Sequence, residues 1–370
     1  MSKKGENIYK RKDGRWEARY IKDYRPDGKA VYGYCYGKTY RETKIKLSEK
    51  VAMIKAGQTE YTTGNNNFAP FIAEWLTLKR SRVKESTYVK YEIIIKNHIS
   101  PYFSYFSIDM LTEAGIEAFS HFLFCEKQLS AKTVKDILVV LNSIIKYVAR
   151  QRGTFCPPEI TYPKEGKKGM RILTLDEQKT FMDYLRQDTD CMKFGVLLAL
   201  CTGMRIGEVC ALKWSDISMD SRCIRVSSTM QRLRNTDADT ESKTKIVITE
   251  PKSDTSSRLI PMSDYVFSLC RSMYSDDSSY VLSGSESKFI EPRHLQYQIK
   301  KYAKACNLED IHFHTLRHTF ATRCVEVGFE IKSLSEILGH YSPKITLERY
   351  VHTSIELKRD NIRKLECIGI

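Results

Sequence analysis

His314-Thr-Leu-Arg317-His318, then Leu338-Gly-His340, then Tyr350 stand in order near the C-terminal end, and their reading decides the fold. Far upstream, Thr202-Gly-Met-Arg205-Ile-Gly-Glu208 supplies a second arginine. Two arginines, two histidines and one tyrosine are the groups a protein hydroxyl needs to attack a DNA phosphodiester. A phosphoryl-transfer transition state spreads charge over its non-bridging oxygens, so catalysis is mostly positioning and electrostatic stabilisation. The planar guanidinium of arginine matches phosphate and stays protonated at any working pH. A tyrosine hydroxyl holds its proton until about pH 10 and needs an acceptor nearby. Histidine can take that proton or brace the phosphate near neutrality. The leaving 5′-oxygen calls for a general acid. The histidines show no H-E-x-x-H spacing and the cysteines no C-x-x-C, so the pattern points to covalent chemistry without a metal.

On these residues the chain resembles a tyrosine recombinase, in particular an integrase of the phage lambda and conjugative-transposon type. The family order is Arg, Lys, His-x-x-Arg, His or Trp, then Tyr. It falls here on Arg205, Lys252, His314, Arg317, His340 and Tyr350, over roughly residues 171–353. The resemblance implies that Tyr350 forms a 3′-phosphotyrosyl link and frees a 5′-hydroxyl. It also implies that the arginines hold the scissile phosphate and that Lys252 protonates the leaving oxygen.

Bulk properties agree with a polyanionic partner. The chain has 370 residues and a formal charge of +15, too long for one ordinary core and strongly basic. No stretch is apolar enough to span a bilayer, and Met-Ser-Lys-Lys-Gly at the start is not an apolar signal segment, which implies a cytoplasmic, nucleoid-associated protein. Eleven cysteines at irregular spacing read as reduced thiols, with Cys191, Cys201, Cys210 and Cys324 as small core fillers.

Three domains are expected, making a multidomain α+β chain. Residues 1–57 hold 16 Lys and Arg against 7 Asp and Glu. Strand-like runs at Ile8–Arg11, Trp16–Asp23 and Ala30–Gly37 are separated by Lys12-Asp13-Gly14-Arg15 and Arg25-Pro26-Asp27-Gly28. Thr39-x-x-Glu42 starts a helix and Gly57 ends it. Three strands and a helix resemble the arm-type DNA-binding domain of these integrases. A three-stranded sheet can lay one face into the major groove, with Arg15, Arg19, Tyr20, Lys22 and Tyr34 as candidate contacts.

After a polar linker at 58–67, residues 68–152 carry four helical patterns. They begin near Phe71, Ser86, Leu111 and Ser130, and together they resemble the helical, SAM-like core-binding domain of the family. Lys79, Arg80, Arg82 and Lys84 are candidate phosphate contacts there, with Lys90, Lys132 and Lys135; such contacts position rather than specify. His98 reads as packing near a helix end. Residues 153–170 form a second linker.

The catalytic domain, 171–370, opens with the cap signal Thr174-Leu-Asp-Glu177 and is expected to be mainly helical with a small β-sheet. Phe194–Leu200 is an apolar helix ending before Gly203, which places Arg205 at the start of the next one, with Glu208 one turn on to buttress it. Ile246–Thr249 and Arg258–Pro261 read as the two strands of a hairpin carrying Lys252; Lys243 and Lys245 are rivals for its role. His314 and Arg317 share a helix face. His318, one residue off, reads as support or packing. Gly339 ends a helix, His340 sits on the turn, and Lys344-Ile-Thr346 starts the helix that carries Tyr350; Tyr341 is a weaker candidate. Leu357, Ile362, Leu365 and Ile368 give the tail an apolar face, which the resemblance assigns to packing on a neighbouring protomer.

Taken together, the residues and the resemblance predict a site-specific integrase that integrates and excises a mobile element. It would work as a homo-tetramer on double-stranded DNA with arm and core attachment sites, aided by an excisionase and host DNA-bending proteins. Neither cofactor, ATP nor metal is expected. A type IB topoisomerase and a catalytically idle DNA-binding regulator are the other classes considered.

Overall fold

The computed structural model of the chain describes residues 7–24, 30–55, 67–103, 106–166, 169–235, 242–249, 257–350 and 363. Lys252, the turn at 25–28, Gly57, the 58–66 linker and tail residues Leu357, Ile362, Leu365 and Ile368 lie outside the described residues. The chain divides into two compact units, Met1–Val83 with Tyr91–Pro163, and Lys84–Lys90 with Lys164–Ile370.

In the first unit, β1 (Ile8–Lys10), β2 (Trp16–Tyr24) and β3 (Ala30–Gly37) form an antiparallel sheet in that order. Gly14, at φ +85°, makes the first turn possible, because only glycine enters that region without strain. Helix α1 (Tyr40–Lys55) follows, its first turn fixed by the Glu42 N–H donating to Thr39 Oγ1 at 3.2 Å. Strand alternation sends Ala18 and Tyr20 to one face and Arg19 to the other. Ile8, Ala18, Tyr20 and Cys35 make a small core with Trp16, Tyr40, Leu47 and Val51 around it. Tyr20 is therefore buried, its ring against Gly33, where an added Cβ would lie 2.6 Å from Tyr20 Cζ. This corrects the expectation that Tyr20 reaches DNA: in a strand it cannot share a face with its neighbour Arg19. On the open face Arg19 pairs across from Tyr34, and its guanidinium lies 4.5 Å from the Tyr32 ring centroid. Arg15 is exposed and ion-paired to Asp13 at 2.8 Å. Lys22 lies in β2, and its side chain is outside the described residues.

The helical part of this unit comprises α2 (Ala69–Arg80), the end of α3 (Glu85–Ile94, its residues up to Lys90 counting with the second unit), α4 (Ser100–Phe103), α5 (Glu113–Cys125) and α6 (Ala131–Arg152). A π turn at Ile95–Ile99 joins α3 to α4. Thr112 and Ser130 cap α5 and α6 by accepting backbone N–H bonds, the usual role of a short hydroxyl side chain at that place. Helix α6 buries Val134, Ile137, Leu138, Leu141, Ile144, Ile145 and Val148, a 3.6-residue stripe that runs the length of the core. Phe103 meets Phe68, Phe106 and Phe119 edge to face beneath it. His98 falls in the π turn rather than at a helix end, and its buried Nδ1 has no hydrogen-bond partner. Lys79 and Arg80 end α2, Arg82 and Lys84 occupy the following turn, and Lys90 is exposed on α3. Lys132 is exposed and Lys135 half-buried in the first turns of α6.

The second unit is mostly helical: α7 (Leu175–Arg186), α8 (Cys191–Thr202), α9 (Ile206–Ala211), α10 (Asp264–Met273), α11 (Pro292–Ala305), α12 (Phe313–Glu326), α13 (Ile331–Leu338) and α14 (Pro343–Tyr350). Thr174 and Glu177 form a reciprocal capping box at α7. Between α9 and α10 run β4 (Ile217–Ser218), β5 (Cys223–Val226), β6 (Thr229–Arg234), β7 (Thr244–Thr249) and β8 (Arg258–Pro261). Their pairing corrects the expected hairpin. β7 pairs with β6, Thr229 against Thr249 through Arg234 against Thr244, whereas β8 pairs with β5 in another sheet. The connections on the two sides of β7 are of similar length, so the choice is made by the pairing itself: β6 and β7 match over six positions, and β8 matches β5 over four. Lys245 stands on β7 opposite Leu233, and its ammonium is ion-paired to Glu85 at 2.7 Å. Among the described residues no helix is long and apolar enough to cross a membrane, and no group of three or more His, Cys, Asp or Glu could hold a metal ion.

Candidate active site

Five helices, α8, α9, α12, α13 and α14, and one strand, β8, build the site. Helix α8 is buried from Phe194 to Leu200, as its all-apolar sequence requires, and stops at Gly203 in the left-handed region, φ +67°. An added Cβ there would lie 2.6 Å from Phe320, so position 203 admits glycine on two counts. The chain then turns, and Arg205 occupies the N-cap of α9 with extended backbone. Glu208 accepts from the Arg205 backbone N–H at 2.8 Å and from its Nη1 at 2.7 Å. Arg205 Nη2 donates to the Gly339 carbonyl at 3.0 Å.

Arg258, on β8, is a partner that sequence reading missed. It donates from Nη1 and Nη2 to the two Glu208 oxygens at 3.1 and 2.8 Å, and from Nε to the Ile337 carbonyl at 2.6 Å. Glu208 and Arg258 are only 7% and 8% exposed. Burial alone would raise the Glu208 carboxyl, but the hydrogen bonds from Arg258 and the charges of Arg258 and Arg205 hold it at about 2. A buried carboxylate cannot remain ionised with a single half-exposed arginine for company, so the need for a second cation follows once the fold buries Glu208.

Helix α12 carries the next group. His312 caps it, Nδ1 accepting from the Thr315 N–H at 3.1 Å. His314 stands exposed at its first turn, and Arg317 follows almost fully buried at 4% exposure. Arg317 donates from Nη1 to the Gly203 carbonyl at 2.8 Å and from Nη2 to the Leu338 carbonyl at 2.7 Å. Burial, with Arg205 close by, pushes its guanidinium down to about 9, still fully protonated at neutral pH. Arg205, Arg258 and Arg317 against Glu208 leave the pocket strongly cationic and ready for an anion.

Helix α13 ends at Gly339, φ +63°, and His340 follows on the turn with Nδ1 2.8 Å from Thr346 Oγ1. Tyr350 closes α14 at 4% exposure. Its ring lies parallel to that of His340, centroids 6.3 Å apart. Its hydroxyl lies 2.9 Å from His318 Nδ1. His318 is thus a neighbour of the tyrosine and not a packing residue. The i, i+4 spacing from His314 carried that information, and the two rings are 5.9 Å apart. Tyr341, by contrast, is 85% exposed. Of the six predicted site residues, the structure brings Arg205, His314, Arg317, His340 and Tyr350 together, while Lys252 is outside the described residues.

Burial, then the surrounding arginines, hold His340 down at about 3. Burial, then His314 and Arg349, hold His318 at about 4. Both rings bind protons more weakly folded than unfolded, so the unfolded chain gains protons first as pH falls. Stability contributed by the neutral rings is complete above about pH 6.5 and is lost towards pH 4. Thermal unfolding of the full chain between pH 7.5 and 4.5 should show a falling midpoint; a flat midpoint would contradict it.

Comparison with known proteins agrees with this geometry. Residues 171–356 match the phage integrase family, and residues 67–124 match the phage integrase N-terminal SAM-like domain. A XerC-like tyrosine recombinase of Caldanaerobacter subterraneus subsp. tengcongensis is 26% identical over 375 residues, covering 93% of this chain and 94% of that protein. The ICEBs1 integrase of Bacillus subtilis is 26% identical over 345 residues, covering 88% and 90%. In fold, the chain resembles the Tn1549 transposon integrase in complex with transposon right end DNA (TM-score 0.67, 22% identity, 81% of this chain and 99% of that one). It also resembles the lambda integrase of a tetramer bound to a Holliday junction (TM-score 0.55, 18% identity, 93% and 95%). With the family match spanning more than half of its residues, the chain belongs to the phage integrase family, DNA strand transferases that recombine mobile elements at specific sites.

Proposed function

We propose that this integrase cuts and rejoins double-stranded DNA at the ends of a mobile element through a 3′-phosphotyrosine at Tyr350. The observation that carries the reading is a buried tyrosine hydroxyl beside Arg317, whose guanidinium is fixed by the Gly203 and Leu338 carbonyls and lies close to that of Arg205, itself fixed by the Gly339 carbonyl. In the cleavage step the Tyr350 oxygen bonds to phosphorus and the bond from phosphorus to O5′ breaks. Arg205 and Arg317 hold the non-bridging oxygens, with His314 and His340 bracing them. The Lys252 ammonium gives its proton to the departing O5′. The new phosphoester conserves the energy of the old one, so rejoining needs neither ATP nor metal.

The domain roles follow the same reading. Residues 1–57 bind arm sites through Arg19 and Tyr34 on the open sheet face, with Arg15 of the first turn and Lys22 as further contacts. Residues 68–152 grip core DNA with Lys79, Arg80, Arg82 and Lys84, and with Lys90, Lys132 and Lys135, through phosphate contacts. Residues 171–370 carry the chemistry. A homo-tetramer on two duplexes, an excisionase and host bending proteins complete the assembly.

The test is a suicide substrate nicked near the element end, run in EDTA. Wild type should form a denaturation-resistant adduct mapping to Tyr350, and absence of any adduct with DNA binding intact would sink the reading. Lys252→Ala should slow cleavage of the normal substrate about a hundred-fold or more yet spare one with a 5′-bridging sulfur, which leaves without a proton. Equal loss on both substrates would remove Lys252 as the acid.

A further inference from the structure

We propose that His318 accepts the Tyr350 proton during strand cleavage, through Nδ1. This rests on the reading of Tyr350 as nucleophile, and it gives a working part to a residue outside the six-residue pattern. His318 Nδ1 lies 2.9 Å from the Tyr350 hydroxyl, with the two rings tilted by 49°. That is direct proton-transfer distance.

The other two histidines are less well placed. His340 lies parallel to the Tyr350 ring with centroids 6.3 Å apart. Its Nδ1 is engaged by Thr346. His314 stands one turn before His318, exposed, with its ring edge-on to His318.

The charges around His318 are His312, His314 and Arg317 on its own helix and Arg349 and Tyr350 on α14. Burial first, and then these charges, favour the neutral ring; in its Nε2–H tautomer Nδ1 accepts while the hydroxyl donates. An incoming phosphodiester brings negative charge beside these cations and raises the proton affinity of His318 as attack proceeds. The step balances. The bond from Tyr350 Oη to phosphorus forms, the bond from phosphorus to O5′ breaks, the phenolic proton moves to His318 Nδ1, and the Lys252 proton moves to O5′. Rejoining reverses each transfer.

The test uses the full chain, the same suicide substrate and single-turnover adduct formation from pH 6 to 9.5. His318→Asn sets an amide oxygen near the Nδ1 position, so it can hold the hydroxyl but cannot take its proton. His318→Ala opens a space that free imidazole can enter. Both variants should bind the substrate as wild type does and cleave about a hundred- to ten-thousand-fold more slowly. The His318→Asn rate should climb with pH across a range where wild type levels off, and imidazole should speed His318→Ala. A His318→Asn protein with wild-type rate and pH profile would overturn the proposal, leaving a positioning role. Failure of imidazole to speed a His318→Ala protein that still binds DNA would also count against it. Wild type forming no Tyr350 adduct would instead overturn the nucleophile assignment, so the two failures are told apart.

Discussion

Tyr350→Phe should abolish the covalent adduct completely while leaving DNA affinity and its salt dependence unchanged. Phenylalanine keeps the ring that packs in the small cluster of Ala321, Cys324, Leu334 and Leu338 and the face that lies against His340. It removes only the hydroxyl. Tyr341, the nearest tyrosine in sequence, is exposed to solvent and lacks this buried setting. His318 Nδ1 would lose its partner in a half-buried place, a destabilisation of about 1–2 kcal/mol. The comparison to make is adduct yield on denaturing gels beside equilibrium binding over a salt series, because phosphate contacts set the slope. A variant that still forms adduct would move the nucleophile elsewhere; one that loses binding as well would make the tyrosine structural.

Glu208→Ala should be the most damaging change for folding of the second unit. Glu208 is the carboxylate shared by Arg205 and Arg258, and Arg258 is itself buried. Removing one partner of a buried ionic group strands the other, which costs about 3–5 kcal/mol. For a unit of this size that lowers the unfolding midpoint by about 6–20 °C. Strand cleavage should fall at least as far, since Arg205 loses the group that aims it. A paired replacement, Glu208→Leu with Arg258→Met, should recover much of the stability, because well-packed apolar side chains often replace a buried pair without loss. It should not recover cleavage. Thermal melts of the two variants decide this, and equal destabilisation of single and double variants would refute the stranded-charge explanation.

Local signals in the sequence were strong where chemistry is local. Thr174 with Glu177, Gly339 after Leu338, and Arg205 just beyond Gly203 each announce a helix boundary through capping or glycine, and each is where the structure puts it. What the sequence hid is long-range. β7 and β8 look like neighbours along the chain, yet they belong to different sheets, since strand pairing depends on partners that no short pattern names. Arg258 escaped for that reason: its value lies in reaching Glu208 across the fold. Tyr20 and His318 are different cases. Period-two alternation already separated Tyr20 from Arg19, and i, i+4 spacing already joined His318 to His314. Both rules were available and pointed the right way.

The carbonyls that hold Arg205 and Arg317 belong to Gly203, Leu338 and Gly339, residues at the ends of α8 and α13. Connecting turns are ordinarily where proteins accept added or deleted residues most readily. Here two short turns act as the bench on which the guanidinium groups are aligned. Lengthening either by one residue would displace a carbonyl and the charge it aims, with no side chain of the site altered. In this integrase, length variation between related sequences is therefore to be sought in other connections, and the spacings from Gly203 to Arg205 and from Leu338 to His340 act as fixed rulers.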